Sequence, residues 1–600
     1  MLGLYINYLS AVNKLNYTNM MGIIVKFSEF YAKPAPIDSI SLLKSIPKEE
    51  LIATISAINA HLNPITSSHL DDSRKTQIKC IRVIFLDTEN SLRNSFCTQI
   101  LSRYSQFPKQ YALFTRSACL YALQEIIANN SFAPETPEYN FDLRERIFKY
   151  LLCVNERIQA QNDNFNENDH AQLGEKFFEY FAFKLLPFNQ YNYTFNSINS
   201  LYKSWTLFKN LKNNSFFEPH ITNYLKEQFN VEDMEDFFKK QMYTYFGSYD
   251  RKLQLNYINI RPEETEQIKI LDKLSQRNNF PLPNDNDLNI FNFLEIKKSP
   301  LYRNYKKDGK DHITYVMLDS DFFLDKLYAL FINDFWFDYL QPKDICTRND
   351  WGSFIGTDFF EPFIENIFKE AFHNHNRIIF RSTDQLKFTL PRTTETEYAD
   401  FYIRDKSNII LAEAKSNFLP ANNGLKTVKD INDYSNLRMD DFYKNYGLKQ
   451  LALKTVIKFH QYKTFIEDDQ NVLSKKITIF PVLIVNDPIL SSGTVALAFR
   501  LKFIEYLKDN NFEIENSIHR IMPLAIINIT ELQQMEQSLH DREENIFNFL
   551  RYLFSITNPA RIAFEGNFIV LRTFEQVLGK HIKNKLIAQR VINLKKWFKK

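Results

Sequence analysis

Asp400, Glu413 and Lys415 are the residues of this sequence whose types and spacing could do chemistry. They lie in the stretch from Glu397 to Ser416, EYADFYIRDKSNIILAEAKS, which alternates in character as two strands joined at a polar turn. Tyr398, Asp400 and Tyr402 fall on one face of the first strand, and Ile409, Leu411, Glu413 and Lys415 share a face of the second. Asp405-Lys406-Ser407-Asn408 has the residue types of a turn centred on the Lys406-Ser407 bond. Counting outward from that bond pairs Asp405 with Asn408 and, further along, Asp400 with Glu413. Two carboxylates directly opposite each other on a sheet repel. A divalent cation turns that repulsion into attraction, and Lys415 adds a positive charge on the same face. The plain alternative is an exposed sheet face carrying a salt bridge.

The hairpin, more than the string of letters, carries this reading. Glu295-Ile296-Lys297 repeats the letters, with Asp285 and Asp287 upstream, but follows a loop-like stretch from Pro281 to Asn289 with no alternating strand to hold an acid opposite. The set of Asp400 followed by Glu413-Ala414-Lys415 resembles the PD-(D/E)XK nuclease superfamily, with Ala399 where that signature has proline. The resemblance implies a restriction-endonuclease-like fold in which Asp400, Glu413 and the backbone carbonyl of Ala414 hold Mg²⁺, with Mn²⁺ able to substitute. It implies that Lys415 orients the attacking water and offsets charge on the transition state. Gly356 and Phe360-Glu361 match the start of the helix that precedes the hairpin in the family, where the glutamate helps bind metal or orient water. Gln450 matches a glutamine on the helix after the motif in some branches, although Lys454 stands where those branches carry tyrosine.

The elements that must position these residues are legible around the hairpin. Asp358 and Glu361 are spaced as a capping box opening a helix through Phe363, Ile364, Ile367, Phe368 and Phe372, which makes the cap a competing role for Glu361. Glu365, one turn on, is the substitute candidate. Arg377 to Arg381 and Leu386 to Leu390 read as short β-prone runs, with Arg377, Arg381 and Arg392 as candidate phosphate anchors. Phe442 to Phe465 reads as one long helix. Ile477 to Val485 reads as a buried strand, with Pro481 implying either an imperfect ladder or a position toward an edge. A helix around Phe503, Ile504 and Leu507, a strand at Ile521 to Ile529 and a helix capped by Thr530 and Gln533 complete the expectation.

At 600 residues the chain is too long for one ordinary core and about two to four domains are expected. With 44% hydrophobic and 24% charged residues it has a globular composition. The 55 phenylalanines and 12 glycines favour helices with bulky cores. A net charge of +3 requires any nucleic-acid contact to come from local basic patches. Five scattered cysteines, none in a C-x-x-C, read as reduced thiols without a zinc site, and His373 and His375 as a helix-end pair. With no apolar run of membrane length and no basic region before Leu2 to Leu9, a soluble cytoplasmic protein without membrane association is expected.

The expected organisation is a mainly α-helical accessory or recognition region over 1–280, a connecting segment over 281–350, an α/β (α+β) restriction-endonuclease-like core over 351–560 and a basic segment over 561–600. Helical spacing begins at Ser45, read as an N-cap, with Leu51, Ile52, Ile55, Ile58 and Leu62 on one stripe, and recurs over Tyr111 to Ile127, Leu143 to Val154 and Gly174 to Leu186. Neither a phosphate loop nor a dinucleotide fingerprint is present. Gly174 to Phe181 and Gly356 to Phe363 share the pattern G-x-x-F-F-E-x-F; the first copy precedes no acid-bearing hairpin and is read as coincidence in a Phe-rich chain. The basic tail from Lys580 to Lys600 reads as a phosphate-gripping helix or a solvated surface helix.

The resemblance makes the expected activity Mg²⁺-dependent hydrolysis of DNA phosphodiester bonds, in restriction or antiviral defence against foreign DNA, with RNA left open as substrate. The helical half is expected to recognise a target, bind a protein partner, form a homo-oligomer or restrain the nuclease. The alternative is a non-enzymatic scaffold on a degenerate nuclease fold that binds nucleic acid or protein.

Overall fold

Apolar residues spaced three and four apart become, in the computed structural model of the chain, the helices Lys48–Leu62, Arg74–Phe85, Arg116–Ala128 and Phe141–Asn162. The structure describes residues 24–63, 70–86, 95–108, 111–134, 141–162, 172–173, 176–184, 186, 197–247, 256–276, 293–305, 308–309, 311–389, 395–419, 428, 430–467, 475–556, 564–565 and 568–569. The basic tail from Lys580, Arg392, and Asp285 and Asp287 lie outside these residues. The chain divides into two units, one of Asn16–Glu167 and Tyr191–Ile345, the other of Met1–Leu15, Asn168–Gln190 and Cys346–Lys600.

The first unit is mainly helical. Leu51, Ile52, Ile55, Ile58 and Leu62 are all buried, as their spacing predicts, although the N-cap is Pro47 and not Ser45. Strands β1 (Tyr257–Ile260), β2 (Leu301–Arg303) and β3 (Ile313–Met317) form an antiparallel sheet in the order β1-β3-β2, so part of the stretch read as a connector is strand. The repeated letters Glu295-Ile296-Lys297 fall in the helix Leu294–Lys298, which offers no opposed strand face. Arg116 is buried between Asp319, which it meets at 2.7 Å, and Asp321 at 3.1 Å. Asn59 Nδ2 and the Phe322 N–H, each at 3.0 Å, also donate to Asp319, so its buried charge is met on several sides.

The second unit is built on a mixed sheet. Strands β4 (Ile378–Ser382), β7 (Phe401–Asp405) and β8 (Asn408–Lys415) are antiparallel neighbours, and β9 (Ile477–Val485) runs parallel to β8. On its other side β9 pairs in parallel with β10 (His519–Ile521) and then β11 (Ala525–Asn528). Strands β5 (Lys387–Thr389) and β6 (Glu395–Glu397) make a separate hairpin. Pro481 is therefore central, and of the two alternatives for it the imperfect ladder holds and the edge does not. It falls between the residues that pair with β10, which end at Ile479, and those that pair with β11, which begin at Val482. A residue without an N–H is tolerated where the partner strand changes.

Helices cover both faces of this sheet. Helix α1 (Phe177–Lys184) comes from early in the chain. Helix α2 (Arg348–Ser353), capped by Thr347 with Asp350, continues through a π-helical segment, Phe354–Phe360, into α3 (Glu361–Phe372). The expected start at Asp358 is thus mid-helix, and Glu361 is not part of a cap. Phe368 of α3 packs against Phe401 and Phe380, with ring centroids 5.6 Å away in each case.

The opposite face carries Tyr402, which stacks on Phe459. The long helix expected there is broken: α4 (Ile431–Ser435) and α5 (Met439–Asn445) precede a left-handed Gly447, and a π-helical segment, Gln450–Val456, leads to α6 (Phe459–Ile466). Helices α7 (Gly493–Asp509), α8 (Ile529–His540) and α9 (Ile546–Ile556) follow, α8 being capped by Asn528 and Glu531 in place of Thr530 and Gln533. His375, just beyond α3, meets the Leu539 carbonyl of α8 at 2.6 Å.

Candidate active site

The hairpin has the register counted from its turn. Asp405 pairs with Asn408 and Phe401 with Ala412, with Lys406 at φ +56 in the turn, so continuation by one residue sets Asp400 against Glu413. Asp400 lies just past the last ladder pair, where its Oδ2 accepts the Ala414 N–H at 2.6 Å. The Lys415 carbonyl accepts from Asn486 N–H on the β9 side. Alternation along the strand therefore turns the Ala414 carbonyl to the side of Asp400.

Both carboxylates are deeply buried, Asp400 at 5% exposure and Glu413 at 0%. Burial, followed by the charge of Asp400, pushes Glu413 up to about 8. Burial also raises Asp400, with Lys415 and the Ala414 N–H opposing the shift and Glu397 adding to it. Glu413 Oε1 accepts from Thr455 Oγ1 at 2.9 Å. Its Oε2 is buried with no hydrogen-bond partner among the described residues, and Lys415 Nζ lies 3.5 Å from it.

Lys415 is held from the opposite side. Its Nζ donates to Gln450 Oε1 at 3.3 Å, so Gln450 does reach the site. Gln450 and Thr455 are five apart, a spacing that a π helix stacks one turn above the other. That segment closes with Ile457 N–H donating to the Ala452 carbonyl. Its geometry presents Gln450 to Lys415 and Thr455 to Glu413 together. Tyr398 OH, donating to the Thr455 carbonyl at 2.5 Å, ties the segment to the hairpin.

Glu361 is half-buried at the start of α3, and burial together with the charges of Asp400 and Glu397 pushes it up to about 7. The π segment before it brings Gly356 against the end of β8, where an added Cβ would lie 3.4 Å from Ser416 Oγ. Glu365 is not drawn in and pairs with Lys369 at 2.8 Å. Lys454 is exposed. Thr455 and Glu397 were missed from the sequence. Glu397, at the end of β6, lies close enough to shift Asp400 and Glu361, and the E-x-x-D spacing of Glu397 and Asp400 was the available signal.

The expected arginine anchors fare differently. Arg381 lies 4.0 Å from the buried Glu467, which also pairs with Arg404, so its charge is already met. Arg377 is exposed at the turn before β4.

Among the described residues no group of three or more His, Cys, Asp or Glu side chains converges as a ready-made metal cluster. The donor set that does fit a hard cation is Asp400, Glu413 and the Ala414 carbonyl. Glu413 Oε2 is the observation that favours it: buried, with no hydrogen bond among the described residues and only the Lys415 ammonium 3.5 Å away, it is a carboxylate oxygen that is costly to ionise unless a cation is added. The five cysteines are free thiols, four of them buried. No helix among the described residues is long and apolar enough to cross a membrane. The chain matches no family model, no curated protein and no solved structure.

Proposed function

We propose that the chain is a metal-dependent nuclease that hydrolyses DNA phosphodiester bonds, built on a restriction-endonuclease-like core. The observation that carries this reading is the opposition of Asp400 and Glu413 across the hairpin, both buried, with Lys415 beside Glu413. Asp400, Glu413 and the Ala414 carbonyl are the residues that would hold Mg²⁺, with Glu361 as a further carboxylate on the same side. When bound, the ion would polarise the phosphoryl group and acidify water.

The chain's own residues do the rest. Thr455 fixes Glu413 Oε1 and leaves Oε2 available. Gln450 holds the Lys415 ammonium at the carboxylates, where it orients water and offsets charge developing on the phosphoryl oxygens. Glu361, raised to about 7 by burial and the neighbouring carboxylates in the absence of metal, would ionise when a cation binds beside it. Restriction of foreign DNA is the setting that the family resemblance implies.

The test is cleavage of supercoiled plasmid, linear duplex and single-stranded DNA by wild type and Lys415→Ala, with Mg²⁺ and with EDTA. Metal-dependent cleavage lost in the variant supports the reading. Absence of both cleavage and Mg²⁺-dependent thermal stabilisation in the wild type removes it.

A further inference from the structure

Glu179, in the first G-x-x-F-F-E-x-F stretch, has a specific place in the sheet-bearing unit. It lies on α1, and its two carboxylate oxygens accept from different tyrosines. Oε1 accepts from Tyr434 of α4, and Oε2 from Tyr443 of α5 at 2.7 Å. Aromatic contacts surround this clasp: Tyr180 lies 5.4 Å from Tyr434, and Phe183 meets Phe442 edge-on at 5.4 Å. Tyr443 is fully buried and packs edge-on against Phe499 of α7 at 5.1 Å. One carboxylate therefore fixes two short helices that have only a few hydrogen bonds of their own.

Helix α5 leads directly to the site. It ends at Asn445, and Gly447, whose N–H donates to the Lys444 carbonyl, turns the chain through φ +71 into the segment that carries Gln450. Gly447 lies against the Lys415 side chain so closely that an added Cβ would stand 2.2 Å from Lys415 Cε. The Lys415 ammonium is thus set by Gly447 under its methylenes and Gln450 at its tip. Both depend on where α5 ends.

We propose that Glu179 is a positioning residue for Lys415, acting through Tyr443, α5 and Gly447. This inference rests on the reading of Lys415 as part of a nuclease site. It gives the presence of α1 in this unit a chemical purpose, because Gly447 and Gln450, which set the place of Lys415, lie outside the hairpin that carries it.

The experiment uses the full chain and the variants Glu179→Gln, Tyr443→Phe and Tyr434→Phe. The two tyrosine variants each remove one hydrogen bond to the same carboxylate, but only Tyr443 lies on the helix that leads to Gly447. Glu179→Gln and Tyr443→Phe are expected to lower kcat for Mg²⁺-dependent plasmid cleavage about 10- to 100-fold, with KM for DNA and the Mg²⁺-induced thermal shift little changed. Tyr434→Phe is expected to have a clearly smaller effect.

A second readout needs no activity. The rate at which an amine-acylating reagent modifies Lys415, followed by peptide mass spectrometry without DNA, should change about threefold or more in Tyr443→Phe and Glu179→Gln but not in Tyr434→Phe. Equal effects of the two tyrosine variants, or unaltered Lys415 reactivity in Glu179→Gln, overturn the proposal. If the wild type neither cuts nor is stabilised by Mg²⁺ while Lys415 reactivity follows the expected order, the nuclease reading fails and the positioning role stands. Cleavage by the wild type with unaltered Lys415 reactivity in the variants has the opposite meaning.

Discussion

Gly447 and Lys415 are in direct contact, the lysine methylenes lying where a side chain on residue 447 would have to be. Gly447→Ala is therefore resisted twice, by a Cβ 2.2 Å from Lys415 Cε and by φ +71, a region costing an L-residue roughly 1–2 kcal/mol. The expected outcome is a loss of about that much stability in chemical denaturation and a fall in cleavage of about 100-fold. Mg²⁺-induced stabilisation should persist, since the carboxylates do not touch Gly447. Loss of the Mg²⁺ response along with cleavage would mean that the whole site had moved.

Thr455 is the hydrogen-bond donor to the buried Glu413 Oε1. Thr455→Val keeps the shape and removes the donor, leaving a buried carboxylate with one partner fewer, at about 1–3 kcal/mol in the ionised state. Glu413 should then ionise only at still higher pH. Mg²⁺ affinity measured calorimetrically at pH 7 should fall about 10-fold or more. An unchanged affinity would show that the hydroxyl does not support the metal-binding state.

The hairpin was legible because its information is local: a turn sequence fixes the register, and alternation fixes the faces. Asp400 and Glu413 came out opposed for that reason. The helix partners were harder to read, since the place of Thr455 depends on a π segment, and an ordinary helical count puts Gln450 and Thr455 on different sides. Glu361 looked like a capping residue because the sequence does not disclose that the helix begins at Arg348 and runs through Phe354–Phe360. Gly447 divides what reads as one helix from Phe442 to Phe465, because its left-handed turn is a backbone property that the apolar spacing around it does not record. Pro481 left an imperfect ladder and an edge both open, because the switch from β10 to β11 that decides between them is a property of the neighbouring strands.

Arg381 and Arg404 both face Glu467, which is almost completely buried. Glu467→Gln removes the carboxylate that meets these guanidinium groups and should destabilise the protein by about 3–5 kcal/mol, as expected when one member of a buried ion pair is lost. The same logic separates two roles for Arg381. If it serves this network, Arg381→Ala lowers the denaturation midpoint and leaves KM for DNA near its wild-type value. A raised KM with unchanged stability would restore it as a phosphate anchor.

Glu413 and Glu361 also set a direction for the pH dependence of stability in the absence of metal. Their folded-state values of about 8 and about 7 stand above the ordinary 4.5, so between these limits the folded chain binds more protons than the unfolded chain. Their contribution is fully present below the unfolded value and is lost as pH rises through about 7 and then about 8. Asp400, also raised, acts in the same sense. In EDTA the protein should therefore be more stable at pH 6 than at pH 8.5, by an amount on the order of a few kcal/mol, with Glu413→Gln flattening the difference. Mg²⁺ binds the ionised carboxylates, so its stabilising effect should run the other way and be larger at pH 8.5 than at pH 6. Thermal scans at the two pH values, with EDTA and with Mg²⁺, measure both slopes. A Mg²⁺ effect of equal size at both would mean that binding does not displace a proton from Glu413.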